Sequence, residues 1–355
     1  MSEANGRMIF CTLFNWAYLP QGIALYRSLE RCCRSGFVLY VLCIDGFTHG
    51  ALENLKLPHL RCIPLRQIES EALRAARNTR TIGEFCWTCT TTLLIYLQDL
   101  CGPDAVITYV DADLSFFSDP GVVLDELGPS SILIHEHSFA PEYEGLQQAA
   151  GRFNVGLVAV RNDQDGRACL ERWREQVFHE CVFDPAAGKC GDQHYLDEWP
   201  QLYPRLVISS NPGVGLAPWN ISKYRLARNK NGVTVDGRAA IFYHFHSLRL
   251  LRPRLGVRPT VMASGAYNIG DDAVELFYRP YASDLWTAVR HLDRTKEIQN
   301  LGHDFMKEFA TLPHEYAKLK NGHLYFSFGA IHIPSKHNAQ LMSWLYGIDA
   351  DKSHL

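Results

Sequence analysis

Val106-Ile107-Thr108-Tyr109-Val110-Asp111-Ala112-Asp113 reads as a buried strand that runs straight into two carboxylates. Its first five residues are apolar or β-prone, and Ser115-Phe116-Phe117-Ser118-Asp119-Pro120 then breaks the strand pattern. In open α/β sheets, ligands bind outside the carboxyl ends of the strands, so both acids are expected to face a cleft. Two carboxylates one residue apart on a rigid strand can share a hard divalent cation. Such an ion takes oxygen ligands and often completes its shell with substrate phosphates. The plainer alternative is a solvated acidic turn after a core strand.

Upstream of this stretch the pattern alternates. Met8 to Leu13 reads as a strand, and Leu19 to Arg31 as a helix with Ile23, Leu25, Tyr26 and Leu29 at helical spacing. Phe37 to Ile44 is apolar nearly throughout, as expected of a strand covered on both faces. Leu60 to Leu65 reads as a third strand, and Glu84 to Leu100 as a helix leading into the acid-bearing strand. Downstream, Ser131 to His135, Val155 to Val160, Leu206 to Ser209 and Ala240 to Phe245 read as strands. Asp165 to Cys181 reads as a helix and Gly191 to Trp199 as a short one. Asn211 to Asn220 is a Gly/Pro-rich loop of the kind that frames clefts. After Pro253 the chain turns helical and aromatic, with Tyr278, Tyr281 and Trp286. This alternation predicts an α/β fold with a mainly parallel central sheet. The expected division is a catalytic domain over 1–255 and a mainly helical C-terminal extension over 256–355.

Composition narrows the function classes. With 355 residues, 47% hydrophobic and 21% charged, the chain is an ordinary globular protein with a substantial core. A formal charge of -3 argues against nucleic-acid binding through a strongly basic surface. No apolar run is long enough for a transmembrane helix. Ser2 to Arg7 lacks the pattern of a signal peptide, so the expected place is the cytoplasm, or peripherally at a membrane surface. The eleven cysteines are scattered. Cys11, Cys43 and Cys62 lie in strand-like runs, where cysteine behaves as a small hydrophobe. Cys86-Trp87-Thr88-Cys89 has redox or zinc spacing, but no second pair accompanies it, and reduced thiols are expected.

Four separated segments carry a more specific pattern. They are Tyr109-Val110-Asp111-Ala112-Asp113-Leu114, Arg152-Phe153-Asn154-Val155-Gly156-Leu157, Gly191-Asp192-Gln193 and Phe242-Tyr243-His244-Phe245-His246. Their order resembles that of the nucleotide-diphospho-sugar glycosyltransferases of the Rossmann-like GT-A fold. The glycogenin and lipopolysaccharide galactosyltransferase group (family 8-like) is the nearest pattern. There a strand-end D-x-D is followed by F-N-x-G, a D-Q pair and a strand-end H-F. The resemblance covers roughly residues 8 to 250. It implies metal-dependent transfer of a sugar from a nucleotide-diphosphate donor, uridine-based, to a hydroxyl of a glycan, lipid-linked or small-molecule acceptor. It also implies Mn2+ or Mg2+, retention of anomeric configuration, and compatibility with a homo-oligomer.

The resemblance also assigns roles. Asp111 and Asp113 would hold the cation, with Asp111 and Ala112 contributing to nucleotide binding. His244 would supply a third ligand, and His246, on the same face of an extended strand, is the competing choice. Asn154 would address a sugar hydroxyl, because an amide both donates and accepts. Asp192 and Gln193 would lie beside the donor sugar as the catalytic pair, although Asp192 suits a helix cap equally well. Asn15 and Tyr18, after the first strand, would hold the nucleotide base, and Arg80 would reach the diphosphate. One departure stands out. The relatives follow the late histidine with a glycine and a K-P-W segment, whereas this chain has His246-Ser247-Leu248-Arg249. Arg249 or Arg252 would have to serve instead, and Pro218-Trp219-Asn220 supplies a P-W step earlier.

Two other classes remain open at this level. A haloacid-dehalogenase-type phosphatase would use Asp111 and Asp113 with Asp192 and Asp197. A non-catalytic sugar-nucleotide-binding protein would keep the fold without turnover.

Overall fold

The computed structural model describes residues 6–251, 260–263, 266–292, 325–327 and 330–332. The chain falls into two compact units, Met1–His244 and Phe245–Leu355.

In the first unit the alternation read from the sequence is present. It runs β1 (Met8–Phe14), α1 (Leu19–Cys32), β2 (Phe37–Cys43), α2 (Gly46–Leu55), β3 (Leu60–Pro64), α3 (Glu71–Thr79), α4 (Ile82–Cys101) and β4 (Val106–Val110). Strands β1, β2, β3 and β4 are mutually parallel, with β4 on the far side of β1 from β2. The chain therefore winds outward to β3 and returns across β1. That reversal is a topological switch point, where strand ends splay and leave a crevice. The register Cys11↔Tyr109 brings β1 and β4 out at one edge, which carries Asn15 on one strand and Asp111 on the other.

The sheet is completed by β6 (Ile132–Glu136), β7 (Phe153–Arg161) and the strand Leu206–Ile208, giving the order Leu206–Ile208, β6, β7, β4, β1, β2, β3. Only β7 runs antiparallel to its neighbours within this sheet. It is buried from Phe153 to Val160, as its apolar run requires. Because β7 is reversed, it begins at the same edge where β4 and β6 end. The pair Glu136↔Phe153 and the bond from His137 N to Arg152 O (2.9 Å) pin the two ends of the intervening segment together.

Local chemistry sets the helix ends. Thr81 and Glu84 form a reciprocal capping box, so α4 starts two residues before the expected Glu84. Its face of Phe85, Cys89, Leu93, Leu94 and Leu97 is buried. The sequence does not announce α2 and α3, because each buries only two or three side chains and lacks a long apolar stripe. What starts α2 is Asp45, whose carboxylate accepts from Thr48 N (2.7 Å), Thr48 Oγ1 (3.0 Å) and Trp16 N (2.8 Å). One side chain thus caps a helix and ties down the loop after β1. Asp45→Ala is expected to cost about 1–2 kcal/mol, read as a lowered chemical-denaturation midpoint at unchanged slope.

The eleven cysteines are free thiols. Burial pushes Cys86 up to about 12, the opposite of a reactive thiolate.

In the second unit, helical backbone spans Asp271–Leu292, widened to π geometry over Val274–Tyr278. Phe245 stacks on Tyr281 at 3.7 Å. A four-stranded antiparallel sheet (Arg249–Leu251, Thr260–Met262, Tyr325–Ser327, Ala330–His332) accompanies the expected helix. Its three-residue strands are too short for a periodicity to show. Among the described residues, no helix is long and apolar enough to cross a membrane.

Candidate functional site

The break expected after Asp113 is in fact a tight reversal. Leu114 N donates to Asp111 O (3.2 Å), and the chain continues into a short strand, β5 (Leu114–Phe116). Strand β5 pairs antiparallel with Phe242–His244, with His244 opposite Leu114. The Asn211–Asn220 loop holds that second strand in place, since His244 N donates to Leu216 O at 2.7 Å. By this route a residue far along the chain arrives beside the acid pair.

His244 Nε2 lies 3.2 Å from Asp113 Oδ1 and 3.8 Å from Asp111 Oδ2. One ligand atom from each of Asp111, Asp113 and His244 falls within 4.8 Å of the others. Burial alone would lower the His244 pKa, but Asp113, through charge and a hydrogen bond, and then Asp111 raise it. Burial likewise raises Asp111; His244 and the Tyr109 hydroxyl, which donates to Asp111 Oδ1 at 2.9 Å, pull it down, while Asp113 adds to the rise. Charges packed this way are costly alone and are relieved by a cation. Two carboxylates and an imidazole fit a divalent ion that takes oxygen with one nitrogen alongside.

Next to this group, the buried Asn154 of the reversed strand is bonded to the half-buried Gln193. Gly156 O accepts from Asp111 N at 3.0 Å, joining β7 to the acid turn. Asn154 Oδ1 accepts from Gly156 N (2.9 Å), and its Nδ2 donates to Gln193 Oε1 (3.3 Å) and bonds His137 Nε2 (3.1 Å). Gln193 Nε2 donates onward to Ala150 O (2.8 Å) and Cys190 Sγ (3.1 Å). A Cβ on Gly156 would stand 2.5 Å from Asn154 Oδ1 and 3.0 Å from His244 Nδ1, so only glycine fits between the two groups.

Asp192 stands at the start of the short helical turn Gln193–Glu198, but its side chain does not cap it. The carboxyl is 3% exposed, its Oδ2 has no hydrogen-bond partner among the described residues, and burial and then Asp111 hold it well above the usual range. Burial of this kind disfavours the charged form of a carboxyl.

The remaining sequence candidates fall as follows. Ala112 is buried in the turn between the acids. Asn15 spends its Oδ1 on Ala17 N (3.1 Å), and Tyr18 precedes α1 in the same loop. Arg80 is engaged elsewhere: its guanidinium donates to Thr88 Oγ1 and, at 2.8 Å, to Phe178 O. His246 is exposed, lies in the second unit near Tyr267, and is not among the three-ligand group formed by the described residues. Arg249 begins the second unit's sheet, and Arg252 lies outside the described residues.

Sequence reasoning passed over three participants. Tyr109 looked like one more core residue of β4, yet its hydroxyl contacts Asp111. Gly156, in sequence, is one small residue within a motif, and the close approach it permits depends on His244, far along the chain. His137 carried no signal, because nothing local distinguishes a histidine after a strand from a surface one.

No family model matches the chain. It is similar to two proteins of Bacillus subtilis that carry the description "uncharacterized". YfnF is 32% identical over 252 residues, spanning 68% of this chain and 82% of YfnF. YfnD is 28% identical over 303 residues, spanning 84% of this chain and 94% of YfnD. Among solved structures, the galactosyltransferase LgtC in complex with donor and acceptor sugar analogs matches at 13% identity and a TM-score of 0.49, covering 79% of this chain and 96% of that one. Mouse xyloside xylosyltransferase 1 matches at 12% identity and a TM-score of 0.40, covering 68% and 98%. At the identity and coverage of the first relative, the chain belongs to the same family as YfnF.

Proposed function

We propose that this protein is a GT-A glycosyltransferase that moves a sugar, with retention of configuration, from a uridine-diphosphate donor to a hydroxyl acceptor. The observation that carries the reading is the convergence of Asp111, Asp113 and His244 at the sheet's switch point, beside the hydrogen-bonded Asn154–Gln193 pair. The order of the four sequence motifs supports it. Cleaving the bond between sugar and diphosphate leaves extra negative charge on the departing uridine diphosphate. Asp111, Asp113 and His244 would hold Mn2+ or Mg2+, which when bound neutralises that charge as a Lewis acid. Asn154, Asp192 and Gln193 bind and orient the donor sugar. Burial and the neighbouring Asp111 disfavour a charge on Asp192. Asn15 and Tyr18 follow β1 at the same edge and address the base. No residue of the group stands ready as a general base, which an inverting mechanism would require.

The phosphatase alternative needs Asp192 and Asp197 to join the first acids around a metal. Instead Asp197 accepts from Arg152 N (2.9 Å), and the three-ligand group among the described residues takes His244. The reading is tested by screening UDP-sugars with Mn2+ for transfer or hydrolysis and determining the product anomer by NMR. A product of inverted configuration refutes the retaining assignment. Hydrolysis of phosphomonoesters with no turnover of any sugar nucleotide refutes the class.

A further inference from the structure

We propose that His137 is a positioning residue that fixes the Asn154 amide, and through it Gln193, so that both amides offer the donor sugar only carbonyl oxygens. The inference rests on the glycosyltransferase reading and adds to it the polarity of the sugar site.

The hydrogens available at each amide fix its orientation. Gly156 N–H can only donate, so the Asn154 atom 2.9 Å from it must be Oδ1. The other amide atom is then Nδ2, with two hydrogens. One goes to Gln193 Oε1 and the other to His137 Nε2. His137 Nε2 therefore accepts, and its proton sits on Nδ1. Gln193 has both amide hydrogens engaged as well, on Ala150 O and Cys190 Sγ. What remains unspent on the two side chains is one lone pair on Asn154 Oδ1 and one on Gln193 Oε1. Groups that donate suit this site, which means sugar hydroxyls. An acetamido carbonyl or a carboxylate at the same place would meet oxygen against oxygen.

His137 is held for such a task on every side. It is 3% exposed. Phe139 stacks on its ring at 4.8 Å and 8°, and Trp219 meets it edge-on at 5.3 Å. Its carbonyl accepts from Trp219 Nε1 and Asn220 Nδ2, each at 2.9 Å. The stack on Phe139 requires a sharp turn at Ser138, a non-glycine residue with φ of 52°. Lys223 secures that turn by donating to Ser138 Oγ at 2.7 Å. Strained backbone that its surroundings over-determine is characteristic of sites where geometry matters.

Two measurements test the proposal on the full chain. The first is the tautomer, read by long-range proton–nitrogen NMR on histidine-labelled protein at neutral pH, with the His137 signals assigned by their loss in His137→Gln. Unprotonated Nε2 is expected, and a proton on Nε2 overturns the proposal whatever the enzyme's activity. The second compares His137→Phe, which removes the acceptor but keeps the stacking, with His137→Gln, which restores one. Turnover of UDP-glucose or UDP-galactose should fall about tenfold to a hundredfold in His137→Phe, as for other misplaced groups. Mn2+-dependent affinity for UDP should change less than about threefold, and His137→Gln should recover most of kcat. Equal losses in both variants, no loss in either, or a loss confined to UDP binding overturns the positioning role. Wild-type protein that fails to bind UDP with metal instead defeats the glycosyltransferase reading, and the tautomer still decides the case of His137.

Discussion

Asp113→Ala should abolish the metal dependence of nucleotide binding and nearly all turnover, while leaving the protein folded. The carboxylate is one of two acids facing His244 Nε2, at 3.2 Å, and one of three groups whose ligand atoms converge. Losing it halves the negative charge available to a cation and leaves a turn that carries only Asp111. In the proposed reaction, which expels a nucleoside diphosphate, a lost metal contact would be worth several kcal/mol, so turnover should fall by about 10³-fold or more. Global stability should shift by less than about 1 kcal/mol, because no core cavity forms and a crowded pair of acids is relieved. Calorimetric titration of UDP with and without Mn2+, on wild type, Asp113→Ala, His244→Ala and His246→Ala, provides the measurement. Equal metal dependence in wild type and Asp113→Ala would remove the central claim. Loss in only one histidine variant would identify the third ligand.

Gly156→Ala should be the most damaging single-methyl change in the site. The added Cβ would stand 2.5 Å from Asn154 Oδ1 and 3.0 Å from His244 Nδ1. Both neighbours are buried, and neither can move without releasing a bond: Asn154 from Gly156 N, or His244 from the acids. Overpacking of this kind costs about 1–3 kcal/mol. The functional loss should exceed the stability loss, because the displaced groups are the ones that would meet metal and sugar. Denaturation midpoint and metal-dependent UDP affinity should be measured together. Gly145→Ala serves as the control, since its Cβ would meet nothing within 4 Å. If Gly156→Ala keeps both wild-type stability and wild-type affinity, the close packing described here is wrong.

The sheet and the acid pair were legible because their signals are local. Five β-prone residues, two acids and a turn mark one strand end wherever the rest of the chain goes. Direction is another matter. An apolar run such as Val155–Val160 says that a strand is buried on both faces but not which way it runs, and the reversal of β7 is what places Asn154 by the acids. The choice between His244 and His246 was also beyond a local rule. Alternation puts both on one face, yet the strand paired with β5 stops at His244 and the next unit begins at Phe245. Tyr109 and His137 escaped because their roles depend on partners distant in sequence. The hydrogen bonds of Arg80 to Thr88 and to Phe178 O likewise involve a partner far along the chain, which a local charge pattern does not reveal.

The stretch from His137 to Arg152 leaves the sheet at the cleft and returns to the residue beside its point of departure. Its ends are clasped by the Glu136↔Phe153 pair and by the Arg152 guanidinium on Glu136 at 2.6 Å. Closing a longer or shorter loop across such a clasp is cheap, about 0.6 kcal/mol for each doubling of length. Insertions and deletions there leave the register of β6 and β7 untouched, and with it the place of the acids. Pro141 to Gln148 can therefore change length without moving the acid turn, whereas His137 to Phe139 and Ala150, which touch or brace the Asn154–Gln193 pair, are fixed in place.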